Sequence, residues 1–292
     1  MPLVVLTAKP ELAIHAELLE AARQQGEQLQ VVDTLSVAAV VEPPGLWRGE
    51  QRLPIETWSA VLPRIGNWRP DSGLAVLETL TAAGVPSLNA PMAIRCGRDH
   101  WLTMVALAEA GLPYPPTVAG ADPESLAASA AAILGFPCVV KQRRSRQGVG
   151  VIGCAGRAEL EAVLDSLWRV GDELVVQRFC PPGGVSRRVL VLGGEVLGAT
   201  EHRAAAGEFR SNGARGGSVA AVELPTAQAE LARAATAAVG LGFAGVDLLP
   251  DGDRWVVGEV NPSPGWAYFA AATGVSVAAR VVAAMVLRGG RR

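Results

Sequence analysis

The sequence predicts an α/β chain that continues into an α+β part, and three observations carry that expectation. The first ninety residues alternate short apolar runs with segments of helical periodicity, the pattern of a mostly parallel sheet with crossover helices. Later apolar runs come as pairs separated by polar, glycine-bearing turns, as in antiparallel hairpins. The chain has 292 residues, 50% of them hydrophobic, which suffices for more than one core.

Taken in order, Leu3 to Thr7 reads as a buried strand. Glu11 to Gln25 has helical spacing and Gly26 as its stop, and Leu29 to Val32 and Ala60 to Pro63 are further strands. Gly73 to Ala83 is a helix closed by Gly84, followed by a strand-like Val85 to Leu88. A helix from Asp99 to Ala110 ends at Gly111, and Pro113, Pro115 and Pro116 mark an extended connection. An alanine-rich helix, Pro123 to Leu134, precedes the strand Phe136 to Lys141, a polar loop 142–148 and a return strand Val149 to Gly153. A helix at 159–168 and a strand Glu173 to Phe179 complete that unit. Strands follow at 188–192, 195–200, 243–249 and 254–260, with helices at 226–239 and 275–287.

Composition narrows the function classes. Twenty-six basic residues against 28 acidic give a net charge of −2, which argues against a nucleic-acid coat and an acidic disordered tail. Cys96, Cys138, Cys154 and Cys180 form no C-x-x-C pair, and His15, His100 and His202 are too scattered for a zinc site of ordinary spacing. The N-terminus lacks a basic region followed by a long apolar run, and Val275 to Leu287 is broken by Arg280, short of the ~20 residues a span requires. A soluble, cytoplasmic protein is the expectation. Lys9 and Lys141 are the two lysines beside 24 arginines. The imbalance is that of GC-rich coding, and against it a lysine at the end of an apolar strand stands out as a candidate for function.

Three constellations carry chemistry. Lys141 precedes the loop Gln142 to Gly150, where an ammonium and glycine-flanked amides can surround a polyphosphate. A plain hairpin with a basic, solvated tip reads the same residues equally well. Asp247 and Glu259 sit in otherwise apolar strands around the turn Pro250 to Asp253, with Asn261 two residues further on. Buried unpaired carboxylates are costly, and an oxygen-only set suits Mg²⁺ or Mn²⁺. A three-residue loop centred on Gly252 puts all three on one face. A two- or four-residue loop turns Glu259 away unless a bulge intervenes, and the plain alternative is a surface hairpin. Glu201-His202-Arg203, Gly207 to Asn212 and Arg215-Gly216-Gly217 form the third, arginine-rich and suited to oxyanions or simply to solvation.

In this order the constellations resemble the RimK-like branch of the ATP-grasp carboxylate–amine ligases, of alpha-L-glutamate ligase type. The resemblance rests on Leu62 to Gly66, Gly84 to Asn89, Gly111 to Thr117, Phe136 to Val151, Val176 to Phe179, Gly207 to Asn212 with Arg215-Gly216-Gly217, Gly245 to Leu249, and Glu259 to Gly265. It implies an ATP-grasp fold: a pre-ATP-grasp α/β domain at 1–92, then an ATP-grasp domain at 93–292. The latter would comprise a central lid at about 113–180 and a C-terminal part from about 181. ATP would lie between two antiparallel sheets with two Mg²⁺ or Mn²⁺ ions on Asp247, Glu259 and Asn261. His100, Lys141, Gln147, Gly148, Gly150, Gln177, Arg178, Phe179, Ser186, Arg210 and Asn212 would meet the nucleotide, with Lys141 and Arg210 serving the transferred phosphoryl group. Arg64, Arg203 and Arg215 are expected at substrate carboxylates. Three positions depart from the family pattern: His100 stands where a lysine is usual, Arg178 where a glutamate is, and Ser186 where an aspartate is. They bear on nucleotide affinity and base choice rather than on the metal chemistry. The implied activity joins an amino acid, glutamate foremost, to a carboxylate on a peptide, carrier protein or cofactor, in a homo-dimer or tetramer, without nucleic acid or membrane. The rival expectation is a nucleotide-binding module with little or no turnover.

Overall fold

The computed structural model describes residues 1–144, 151–169, 171, 173–205 and 217–290. The N-terminal part runs β1 (Leu3–Thr7), α1 (Ala13–Gln24), β2 (Leu29–Asp33), a small meander β3 (Ala38–Val40), β4 (Gly45–Arg48) and β5 (Gln51–Arg52), then β6 (Ala60–Arg64) and α2 (Pro70–Ala82). Strands β2, β1 and β6 pair in parallel in that order, and every residue of β1 is buried. The expected strand Val85 to Leu88 reduces to one parallel bridge between Val61 and Ser87. Pro63 and Pro86 each lack the N–H that a longer ladder requires.

Helix α3 (Pro91–Gly97), which periodicity did not reveal, starts with proline at its first turn. Helix α4 (His100–Glu109) follows at once, because Asp99 caps it by accepting the N–H groups of Trp101 and Leu102. The next unit comprises β7 (Thr117–Ala119), α5 (Pro123–Ile133), β8 (Cys138–Gln142), β9 (Val151–Cys154), α6 (Arg157–Trp168) and β10 (Leu174–Arg178). Its antiparallel sheet has the order β7-β10-β8-β9. The proline-rich connection is extended, as expected, and runs directly into an edge strand, β7, that the sequence did not mark. Leu126, Ala130, Leu160, Leu164, Val140 and Val176 make this unit's own core.

The remainder is β11 (Val185–Leu192), β12 (Glu195–Arg203), β13 (Ser218–Ala221), α7 (Thr226–Val239), β14 (Phe243–Asp251), β15 (Arg254–Asn261), α8 (Ala267–Thr273) and α9 (Val277–Gly289). These strands form an antiparallel sheet ordered β13-β12-β11-β14-β15. Val189, Val191, Val246 and Leu248 on one face join α7 and N-terminal residues such as Leu6, Val61 and Leu77 in one core. Leu190, Leu192 and Phe243 on the other face join Trp266, Phe269, α9 and α1 in a second. Asn89 locks the two parts together. Buried, it accepts the N–H groups of Gly242 and Phe243 and donates to the carbonyls of Phe243 and Pro262. Glycine at 242 is required, since a Cβ there would run into the Leu88 carbonyl.

Among the described residues no single helix is long and apolar enough to cross a membrane; α8 and α9, which come nearest together, meet at 110°.

Candidate active site between two sheets

Asp247 and Glu259 are brought together by an irregularity, not by the turn. The β14–β15 turn has two residues, with Asp251 opposite Arg254, which by regular alternation would send Glu259 to the far face. Past Leu248, paired with Val257, the register slips by one, and Asp247 pairs directly with Glu259 and Gly245 with Asn261. Gly258 is the extra residue, and a Cβ there would press on the Leu249 side chain. The bulge thus puts Asp247, Glu259 and Asn261 on one face of the sheet.

Cross-strand pairing extends that face. Arg188 lies opposite Asp247, Thr200 opposite Arg188, and His202 opposite the buried Ser186. Arg188 donates from Nε and Nη2 to the two Asp247 oxygens at 2.7 and 2.5 Å, and the carboxylate's charge holds the guanidinium above its usual range. The buried His202 shares a hydrogen bond with the Thr200 hydroxyl at 3.0 Å. Burial first, then the Arg188 charge, lowers its imidazole from the ordinary value, against the pull of Asp247.

Lys141 faces this surface from the four-stranded sheet. Its Nζ donates to Gln177 Oε1 at 2.7 Å, and Gln177 Nε2 donates to the Thr117 hydroxyl at 2.9 Å. Burial pulls the ammonium below its usual range, while Glu259, Cys180 and Asp247 act in the opposite direction. Arg143, at the end of β8, grips the buried Asp99 through Nε at 2.8 and 2.9 Å, and its carbonyl accepts the N–H of His100. His100 therefore stands beside the start of the loop that leaves Lys141.

The connection between the sheets is also engaged. The N–H groups of Arg178 and Phe179 donate to the carbonyls of Pro116 and Pro137. The Arg178 side chain leaves the hinge to donate to Asp251 at 2.7 Å, in the β14–β15 hairpin. Arg254 reaches the same carboxylate at 3.1 Å. The residue that departs from the family pattern here is a strut between the sheets.

Not every expected residue reaches the face that bears Asp247. Arg203 alternates with His202 and so points to the opposite side, where it pairs with Glu201 at 2.6 Å beside Arg187. Arg64, at the carboxyl end of β6, donates to the Pro264 carbonyl at 2.6 Å and lies 5.0 Å from the centre of the Trp266 ring. Gln147, Gly148, Gly150, Arg210, Asn212 and Arg215 lie outside the described residues. Arg188 and the pair Asp99–Arg143 were not among the expected site residues. The signal for Arg188 was the one that singled out Asp247, a charge entering an apolar strand.

The comparisons with known proteins agree with this geometry. Residues 1–94 match the RimK pre-ATP-grasp domain, and residues 97–285 match the RimK-like ATP-grasp domain. The chain belongs to the RimK-like ATP-grasp family. It is 33% identical over 294 residues to a "Probable alpha-L-glutamate ligase" of Stutzerimonas stutzeri, covering 99% of this chain and 97% of the relative. Identity is 35% over 286 residues to one of the same name from Thioalkalivibrio sulfidiphilus, with 97% and 94% covered. The ATP-grasp ligase PsnB, solved with its minimal precursor, Mg and ADP, superposes with a TM-score of 0.73 at 20% identity over 99% and 98% of the two chains. The D-alanine–D-alanine ligase of Bacillus anthracis complexed with ATP gives 0.72 at 18% identity over 100% and 98%. The protein is accordingly an ATP-grasp ligase, an enzyme that forms a carbon–nitrogen bond. The divalent ion in the PsnB complex is Mg²⁺.

The face on β14 and β15 fits such an ion. Asp247, Glu259 and Asn261 offer only oxygens, the donors a hard divalent cation takes. Asn261 Oδ1 accepts the Ser263 N–H at 2.9 Å, which orients the amide and leaves its oxygen a second lone pair. Among the described residues no group of three or more His, Cys, Asp and Glu is arranged to hold a metal. An ion here would rely on the amide oxygen and on ligands that arrive with the nucleotide.

Proposed function

We propose that this enzyme joins the amino group of an amino acid, glutamate foremost, to a carboxylate of a peptide, carrier protein or cofactor, releasing ADP and phosphate. The observation that carries the proposal is the pairing of Asp247 with Glu259 beneath Lys141. Phosphoryl transfer to a carboxylate needs positioning and charge neutralisation more than covalent help from the protein. Asp247, Glu259 and Asn261 would hold Mg²⁺ or Mn²⁺, two ions in all, and the metal would neutralise charge on the phosphates. Lys141 would meet the phosphates from the other sheet, joined by Arg210, with the loop 147–150 and His100 closing over them. Gln177, Arg178 and Phe179 would border the base through backbone carbonyls, since two of their N–H groups are engaged, and Ser186 and Asn212 would complete the nucleotide contacts.

The carboxylate would attack the γ-phosphoryl group, giving an acyl phosphate and ADP, and the amine would then displace phosphate. The names of the relatives support glutamate as the amino acid. An acidic substrate would meet Arg64 and Arg215, whereas Arg203 is turned to the α7 side and drops out of that role. The test is ADP release with glutamate and a panel of carboxylate acceptors, with hydroxylamine present to capture acyl phosphate as hydroxamate. Hydroxamate formed only with both ATP and the acceptor is expected. ATP binding without ADP release under every combination would favour a nucleotide-binding module without turnover.

A further inference from the structure

Lys141 is the cation that the four-stranded sheet turns toward Asp247 and Glu259, and a neutral side chain holds it there. A lysine's four-carbon stem has many rotamers, and an ammonium ordered only when a phosphate arrives loses that freedom as part of binding. Here Nζ already donates to Gln177 Oε1 at 2.7 Å. The two residues lie diagonally on one face of neighbouring strands, Lys141 opposite Val175 and Gln177 opposite Val139, within reach of long side chains. Gln177 in turn pairs directly with Thr117 on the edge strand β7, and its Nε2 donates to the Thr117 hydroxyl at 2.9 Å. That hydroxyl donates to the Pro115 carbonyl at 2.8 Å.

This chain of bonds fixes which way the amide faces. The Thr117 proton is engaged with Pro115, so the hydroxyl can only accept from Nε2, and Oε1 is left toward the ammonium. Gln177 is buried, with Met104 of α4 against its Nε2. The chemistry of the acceptor matters as much as its position. A carboxylate in its place would hold the ammonium more tightly and cancel its charge toward an incoming phosphate. An amide oxygen orients the ammonium, leaves its charge whole, and leaves its remaining N–H groups to phosphate oxygens.

We propose that Gln177 is a positioning residue: its neutral amide pre-sets Lys141 for the nucleotide's phosphates and is itself anchored through Thr117 to the backbone at Pro115. This rests on the reading of Lys141 as a phosphate contact. It gives the Gln177 side chain a task separate from the base, which the backbone of residues 177–179 would border.

The experiment is a double-mutant cycle on the affinity of the full chain for a non-hydrolysable ATP analogue with Mg²⁺, measured by calorimetry. Gln177→Met should weaken binding about tenfold, the low end of what a hydrogen bond to a charged group contributes. In a Lys141→Met background the same change should have almost no effect, because Gln177 acts through the ammonium. Gln177→Glu, nearly the same shape, should weaken binding at least as much as Gln177→Met, and it carries the test if Gln177→Met does not fold. A role in packing the hinge predicts the reverse: Gln177→Glu milder, and the Gln177→Met loss undiminished without the lysine. Either of those results, or wild-type affinity in a folded Gln177 variant, overturns the proposal. Wild-type affinity in Lys141→Met overturns the phosphate reading itself and the proposal with it, a failure that the single Lys141 variant separates from the first.

Discussion

The five-stranded sheet shares both of its cores with the N-terminal part, whereas the four-stranded sheet packs around a core of its own. The first is fastened by apolar burial and by the four hydrogen bonds of Asn89. The second meets the rest of the molecule largely through polar ties: Arg143 on Asp99, Arg178 on Asp251, and Gln177 near Met104. Ion pairs with one partner partly exposed contribute less, and are more salt-sensitive, than buried apolar area. The wall that carries Asp247 and Glu259 is thus fixed to the body, and the wall that carries Lys141 is held by contacts that a ligand can outweigh. A cleft that must admit a nucleotide and then exclude water has use for that asymmetry.

The largest effect expected from breaking the comparison is at Lys141. Lys141→Ala should lower kcat/KM for ATP by about 10²–10³-fold, the usual cost of losing a preorganised charge-stabilising donor. Arg143→Ala should cost much less, since its guanidinium is spent on Asp99. Equal losses in steady-state kinetics would contradict the assignment of Lys141.

Next is the latch. Asn89→Ala strands four backbone groups in a buried site and should lower unfolding stability by roughly 3 kcal/mol in a denaturant titration. Asp99→Asn keeps an acceptor for the helix α4 cap and loses the ion pair. It should cost about 1–2 kcal/mol, with the difference from wild type shrinking at high salt. If Asp99→Asn proves the more damaging of the two, the contrast between the fastenings is wrong.

The smallest effect is in pH. The buried His15 is held below its ordinary value by burial and by the Arg64 charge, against the Pro10 carbonyl it bonds and Glu11. Its folded pKa is depressed, so between that value and about 6.5 the unfolded chain binds more protons. This contribution is therefore complete above about pH 6.5 and declines as pH falls below it. His202 is shifted the same way. Denaturant midpoints should fall between about pH 7.5 and 5.5, and His15→Asn should flatten that slope.

Legibility from sequence differs between the same two regions. The N-terminal parallel strands were readable because burial on both faces leaves unbroken apolar runs, as in Leu3 to Thr7. The meander at 38–52 was not, since its strands are short and largely exposed. Asp247, Glu259 and Asn261 were legible as a set, including the need for an odd loop or a bulge to unite them. Which of the two operates could not be read, because a glycine in a strand does not announce whether it pairs or bulges. Arg203 shows the opposite failing. Adjacency to an oxyanion-suited motif says nothing of which face a strand residue takes, and one residue of alternation separates it from His202. Arg178 looked like a change at the base-binding hinge, and its partner Asp251 lies 73 residues away in sequence.

The central claim is that a nucleotide and its metal are held between the two sheets, with a cation from one and carboxylates from the other. A thermal melt of the full chain with Mg-ATP, ATP with chelator, and Mg²⁺ alone tests it most directly. Saturating Mg-ATP should stabilise the fold by about 2.7 kcal/mol at a hundredfold excess over Kd. Mg²⁺ alone should leave it nearly unmoved, and both Lys141→Ala and Asp247→Asn should shrink the Mg-ATP shift. A melting temperature unmoved by Mg-ATP, or raised equally in the two variants and wild type, would contradict the account.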